Sequence, residues 1–225
     1  MPAIRLRPGD KFLIAGQNGS GKSVLGTAVG RGLAGSYPSL VVYDPKDDPE
    51  ALLPNMAIVT SADDAIRALP GHVLYRPSSV DMADVVANWD RICAKIIDLS
   101  KRGAGGAGFV VHELGDLGTS FAMGPAFAEV YRKGRSLAIT VVGVTQRPVG
   151  IPVLVRSESQ HVACFTLVDD SDRDTMARLM GPAIRPRPLP LDHTFWYRGP
   201  DLRLRRCAPV GWTGGSREQV DPTDR

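Results

Sequence analysis

Short, unbroken apolar runs alternate along this chain with stretches in which apolar residues return every three or four positions. The runs at 12–15, 40–43, 72–75, 109–112, 138–144 and 162–168 predict buried strands. The longer-period stretches predict helices over 22–33, 62–69, 82–99, 126–133 and 171–180. Within 82–99, Val85, Trp89, Ile92, Ile96 and Leu99 share one face, which puts Trp89 in a core. Strands alternating with helices read as βα units, hence an α/β fold with a mostly parallel central sheet and helices on both faces. The final β-prone runs, in TFWYRGPDLRLRRC, flank a turn and predict an antiparallel hairpin added after the parallel set.

With 225 residues, 43% of them hydrophobic, the chain suits one core, so 1–212 reads as a single domain. The polar stretch 213–225 lacks periodicity and is expected to be a flexible tail. No apolar run approaches the roughly 18 residues of a membrane span, and mean hydropathy is −0.07. The first residues show no apolar leader before a small-residue cleavage site, so a cytoplasmic location is expected. Cys93, Cys164 and Cys207 are odd in number and widely spaced, which suits buried thiols better than disulfides or a metal pair. A net charge of +3 is too small to indicate nucleic acid without a local patch. The basic side is 21 Arg and 6 Lys and the acidic side 19 Asp and 5 Glu, so each lysine and glutamate is worth weighing singly.

GQNGSGKS, comprising Gly16, Gln17, Asn18, Gly19, Ser20, Gly21, Lys22 and Ser23, fits the phosphate-loop pattern G-x-x-x-x-G-K-[ST] between a strand and a helix. Its glycines let successive backbone N–H groups converge on an anion, and the helix that continues through Val24 adds the positive end of its dipole. Lys22 is placed to reach the β- and γ-phosphates of ATP, and the Ser23 hydroxyl to ligate Mg²⁺. Asn18-Gly19-Ser20 also satisfies the glycosylation pattern, a coincidence in a phosphate loop.

GFVVHELGDLG ends an apolar strand at His112-Glu113. Glu113 suits the base that polarises an attacking water. His112 occupies the place of the usual metal-shell acid, where a neutral imidazole can accept from a metal-bound water without supplying charge. Asp116 is a candidate substitute, although an acid at a helix start is an ordinary feature. KGRSLAITVVGVTQRP ends a third strand at Gln146, whose amide can accept from water while donating to phosphate. Arg135 precedes that strand and so lies away from its own nucleotide site, where it suits a finger for a neighbouring subunit or a solvated turn.

In order and spacing, GSGKS, VVYDPKDD with Asp44-Pro45-Lys46, VVHELGDL, and GR followed by a strand and TQRP resemble the FtsK/HerA superfamily of ring-forming DNA-pumping ATPases, over roughly residues 10 to 180. The resemblance implies a RecA-like P-loop core of the ASCE type, with the Gln146 strand between the phosphate-loop strand and the Glu113 strand. It assigns Lys22, Ser23, Glu113, Arg135 and Gln146 the roles above, and implies double-stranded DNA and a homo-oligomeric ring as partners. His112 departs from the superfamily's acidic pair and puts the metal shell in question. At this length the chain has no room for membrane segments or an added β-barrel, which points to the minimal genome-packaging ATPases of membrane-containing double-jelly-roll viruses. A capsid vertex or membrane protein would then dock the ring.

Arg185, Arg187, Arg198, Arg203, Arg205 and Arg206, or Lys101-Arg102, are candidates to face a DNA backbone, which calls for contacts independent of base sequence. The loop GDLGTSFAMG is a better candidate to move with hydrolysis, being Gly-hinged and attached to the Glu113 strand. Two other readings stay open: a cellular or plasmid-borne translocase of the same superfamily, and a nucleotide-gated assembly protein with little hydrolysis, which His112 favours. A small-molecule kinase fits less well, for want of an acceptor-binding or lid segment.

Overall fold

In the computed structural model, residues 4–185 and 189–211 are described; the expected tail at 213–225 and Arg187 lie outside them. The strands are β1 (Lys11–Ala15), β2 (Ser39–Tyr43), β3 (Ala57–Val59), β4 (His72–Tyr75), β5 (Ala107–Val111), β6 (Ile139–Thr145), β7 (His161–Cys164), β8 (Phe195–Arg198) and β9 (Leu204–Cys207). The helices are α1 (Lys22–Ala34), α2 (Ala62–Arg67), α3 (Met82–Lys101), α4 (Pro125–Lys133), α5 (Val153–Glu158) and α6 (Asp170–Met180). One nine-stranded sheet has the order β3-β4-β2-β5-β6-β1-β7-β8-β9. It is parallel through β7, and β8 and β9 add the antiparallel hairpin.

Because both faces of the central strands are covered, every residue of β1, β2, β5 and β6 is buried, which is why they read as continuous apolar runs. On one face Leu13, Val41, Phe109 and Val141 meet α3 and α4. Trp89 sits at the centre of that layer, with its ring 5.4 Å from Tyr43, 5.3 Å from Phe109 and 5.7 Å from Phe127. On the opposite face Ile14, Val42, Val110 and Val142 meet Leu25 and Leu33 of α1.

The predicted elements are present, with two additions and shifted ends. β3 is three residues at the edge, and α5 is a six-residue helix that follows Pro152; both are too short to show a period. β6 starts at Ile139 because Ala138 has a left-handed φ of 53°. Residues 165–168 leave β7 to follow the phosphate loop: Phe165 N donates to Ala15 O (2.8 Å), and Thr166 O accepts from Gln17 N (2.9 Å).

Two close packings fix the poles of the sheet. At the amino end, Lys11 is 2% exposed, and its Nζ donates to Gly9 O (2.6 Å) and Ile139 O (3.1 Å). A Cβ on Gly134 would lie 2.3 Å from that Nζ, so the turn before β6 closes over the ammonium only with glycine there. At the carboxyl end, Leu114 crosses Gly143 of β6, where a Cβ would meet Leu114 Cδ1 at 2.5 Å. That contact seats the 3-10 turn Leu114–Asp116 directly after Glu113.

Burial holds the Lys11 pKa at about 8 against 10.5 for the free side chain, outweighing the pull of Asp10. Between these values the unfolded chain binds the proton and the folded chain does not, so stability rises with pH across the window and is lost again as pH falls to about 8. Urea unfolding from pH 8 to 10.5 is expected to show the wild type gaining up to about 3 kcal/mol relative to Lys11→Met, at 1.36 kcal/mol per unit. Equal pH dependence in the two proteins would contradict a Lys11 pKa lowered by burial. Gly143→Val should cost about 1–3 kcal/mol through overpacking against Leu114, read from the same denaturation midpoint.

Candidate active site

Parallel strands send their carboxyl ends to one edge, and that edge collects the chemistry. Gly16 leaves β1 with its N–H on Thr145 O (3.1 Å), and Ser20 N turns back to Gln17 O (3.3 Å). Gly19 and Gly21 have φ of 72° and 95°, values a side chain disfavours, and Gly16 lies so close to Ser20 and Phe165 that a Cβ would sit 2.6 and 2.7 Å from them. Gly21 starts α1 with no side-chain cap and no acid in the first turn, so the helix's positive end stays open for an anion. Lys22 is buried, with Nζ donating to Gln17 O (3.2 Å), and Ser23 is half-buried at the loop's end beside the exposed Val24. Burial lowers the Lys22 pKa, with the nearby Lys46 adding to the effect. Asn18 and Gly19 are exposed at the loop tip.

β6 lies between β1 and β5, with Thr145 beside Ala15 and Gly143 beside Val111. One residue further, Gln146 Nε2 donates to Glu113 Oε2 (3.1 Å). Lys46, from the segment after β2, donates to the same oxygen at 2.7 Å. Asp116 accepts from Tyr43 Oη (3.3 Å), and burial followed by the charge of Glu113 raises its pKa. It is held by a core tyrosine.

His112 is 6% exposed, and neither ring nitrogen has a hydrogen-bond partner. Its ring packs under α1, where a Cβ on Gly26 would lie 3.8 Å from Cε1. Burial lowers its pKa, so the ring is neutral at pH 7 despite Asp44 and Asp48 nearby. Among the described residues no group of three His, Cys, Asp or Glu forms a metal cluster. One hydroxyl, Ser23, and one neutral imidazole with idle nitrogens instead fit a Mg²⁺ that takes most of its oxygens from phosphate and water.

Arg135 stands exposed at the opposite pole, before the first residue of β6, about 20 Å from that strand's far end at 3.3 Å per residue. The site therefore joins Lys22, Glu113 and Gln146 within this chain and leaves Arg135 out. The C-terminal arginines are less free than their number suggests. Arg185 pairs with Asp174 (2.7 Å), Arg205 with Asp201, and Arg206 with Asp192 (3.9 Å). Lys101 and Arg102 pair with Glu129 (3.2 Å) and Asp98 (2.8 Å). In the loop after Glu113, Gly118 and Met123 bridge and Thr119 N donates to Ala122 O (2.8 Å), leaving Phe121 99% exposed at the tip.

Two neighbours of the site were not assigned roles from the residues alone. Lys46 was visible in the Asp-Pro-Lys segment, but its contact with Glu113 spans 67 positions that no local pattern encodes. His193, in the stretch before β8, comes within 3.3 Å of where a Gly21 Cβ would be, and no spacing signals it.

No protein-family model matches the sequence, and no curated protein matches it. Solved structures do resemble it. The genome packaging NTPase B204 from Sulfolobus turreted icosahedral virus 2, in complex with AMPPCP, superposes with a TM-score of 0.71 at 15% identity, over 91% of this chain and 100% of that one. EccC of Thermomonospora curvata (ATPases 2 and 3) gives 0.58 at 16% identity, over 88% of this chain and 36% of that one. The pCW3 conjugation coupling protein TcpA, with ATPγS, gives 0.51 at 17% identity, over 86% and 58%. At such identities the likeness is one of fold: the chain has the P-loop NTPase architecture of the viral packaging NTPase along that chain's full length, and of part of EccC and of TcpA.

Proposed function

We propose that this chain is an ATP-hydrolysing motor that moves along double-stranded DNA, and that its task is to drive a viral genome into a preformed capsid. The observation that carries the reading is the pairing of Glu113 with Gln146 at 3.1 Å, where β6 runs beside the strand that enters the phosphate loop and β5 lies one strand further on. Nucleotide binding alone needs the loop and not that pair. The full-length fold likeness to a genome packaging NTPase supports the choice of task.

In this reading a water oxygen attacks the γ-phosphorus of ATP while Glu113 takes one of its protons, and the bond from the γ-phosphorus to the bridging oxygen breaks to give ADP and phosphate. Gln146 orients the water through its amide oxygen. The N–H groups of Gly16–Ser23 and the start of α1 hold the phosphates, and Lys22 offsets charge on the outer ones. Ser23, with the neutral His112, would hold a Mg²⁺, which would supply further charge neutralisation. Arg135 serves the next subunit's γ-phosphate in a homo-oligomeric ring, a role that its distance from its own site leaves open. A capsid-vertex or membrane protein docks the ring. Among the described residues no helix is long and apolar enough to cross a membrane.

A second reading is a nucleotide-gated assembly protein that barely hydrolyses ATP, favoured by the neutral His112 in the metal shell. A cellular or plasmid-borne translocase is a variant of the first, consistent with the likeness to TcpA and EccC.

Steady-state ATPase should rise severalfold with long double-stranded DNA and lose that stimulation between low and moderate salt, because backbone contacts release counterions. Glu113→Gln should cut turnover by about 100-fold or more with ATP affinity kept; a wild type that binds ATP without turnover under any condition sinks the motor reading. Arg135→Ala should bind ATP and not turn it over, and mixing it with Glu113→Ala subunits should restore part of the rate. No restoration at any ratio, with assembly verified, removes the shared site.

A further inference from the structure

Glu113 does not face its site alone. Its Oε2 accepts from Lys46 Nζ at 2.7 Å as well as from Gln146 Nε2 at 3.1 Å, so two donors hold one oxygen of the carboxylate that would take the water's proton. Lys46 is not a stray surface lysine, because its backbone is mounted with care. Asp44, with a fully buried carboxylate, accepts from Lys46 N (3.2 Å) through one oxygen and from Arg76 Nε (3.0 Å) through the other. Arg76 also donates to Asp48 O (3.1 Å) and pairs with Asp47, which takes a left-handed φ of 57°. The turn 44–48 is thereby pinned to β4 and holds the root of Lys46 beside the end of β5, next to β2 in the sheet.

The tip is another matter. The Lys46 side chain is 51% exposed while that of Glu113 is 12% exposed, so a fixed root carries a movable ammonium over a shielded carboxylate. An ion pair with that exposure is worth little in water, and a phosphate oxygen arriving nearby would compete for the ammonium. Lys46 is also near enough to Lys22 of the phosphate loop for its charge to help lower that lysine's pKa.

Building on the assignment of Glu113 as the base, we propose that Lys46 is a positioning residue that latches Glu113 in the resting subunit and is drawn off by a phosphate oxygen, freeing the carboxylate to accept the water's proton. Two sources share that chemistry: the backbone of the DNA and the γ-phosphate of the bound nucleotide. Release by the first makes hydrolysis wait for DNA. Release by the second makes it wait for a triphosphate.

The test compares wild type, Lys46→Met and Lys46→Arg, each verified as folded by its thermal midpoint. It measures kcat and KM for ATP with and without long double-stranded DNA, and the Kd ratio of ATPγS to ADP. If DNA is the releasing group, Lys46→Met turns over at least fivefold faster than wild type without DNA, with KM within twofold. DNA then closes the gap, and Lys46→Arg, which keeps a cation, behaves as wild type. If the nucleotide releases the latch, Lys46→Met matches wild type in rate but loses at least tenfold of its preference for ATPγS over ADP. A slower Lys46→Met with an unchanged Kd ratio, or a variant equal to wild type in both rate and ratio, overturns the latch. Absence of turnover in all three proteins, with and without DNA, tells against the motor reading instead, and the Kd ratio still decides whether Lys46 answers to phosphate.

Discussion

The hydrogen-bonded register of β6 between β1 and β5 is the constraint on which the rest of this molecule depends. It aligns Thr145 with Ala15 and Gly143 with Val111, so the residues that follow those strand ends come out side by side. A slip of one residue would turn Gln146 to the other face of the sheet, because side chains alternate along a strand. Both faces of β6 are buried and both neighbours are parallel, so its apolar side chains alone do not tell the strand which way each should face. Gly143 supplies that information: only there can Leu114 cross the strand and bring Glu113 to a fixed place.

The opposite pole is built on a different principle. There a charge, not a hydrophobe, fills the space between the start of β1 and the turn before β6, and Lys11 meets that charge's needs with two carbonyls. Burying an ammonium is costly unless it is hydrogen-bonded. What the arrangement gains is a turn of defined shape: Gly134 rests on the ammonium and Arg135 follows at once, with Gly9 packed so closely that a Cβ there would lie 2.4 Å from Arg135 Cα. The two poles are tied to the same strand, which makes β6 a strut between a nucleotide edge and an arginine edge.

How much of this could be read from the residues follows from which interactions are local. The central strands and α3 were legible because burial on one or two faces writes itself into apolar runs and periods, and the phosphate loop because glycine spacing is a local demand. Gln146 and Glu113 were legible as strand ends. Lys46 was legible only as part of a segment, since its partner lies on another strand; β3 and α5 were not legible, being shorter than any period they would display. The C-terminal arginines could be counted from the residues, but their partners could not. Charge totals say nothing about neighbours, and Asp174, Asp192 and Asp201 fold back onto Arg185, Arg206 and Arg205.

The margins of the sheet carry a consequence for how copies of this chain can meet. At one margin stands β3, only three residues long; at the other, β9 carries Arg205 and Arg206 among its four residues. Short strands and charged margins both discourage strand-to-strand pairing between molecules. Any neighbouring copy would therefore be steered away from joining as one continuous sheet. Side-chain contacts can loosen and re-form as partners change, whereas a shared ladder of backbone hydrogen bonds would lock one copy to the next.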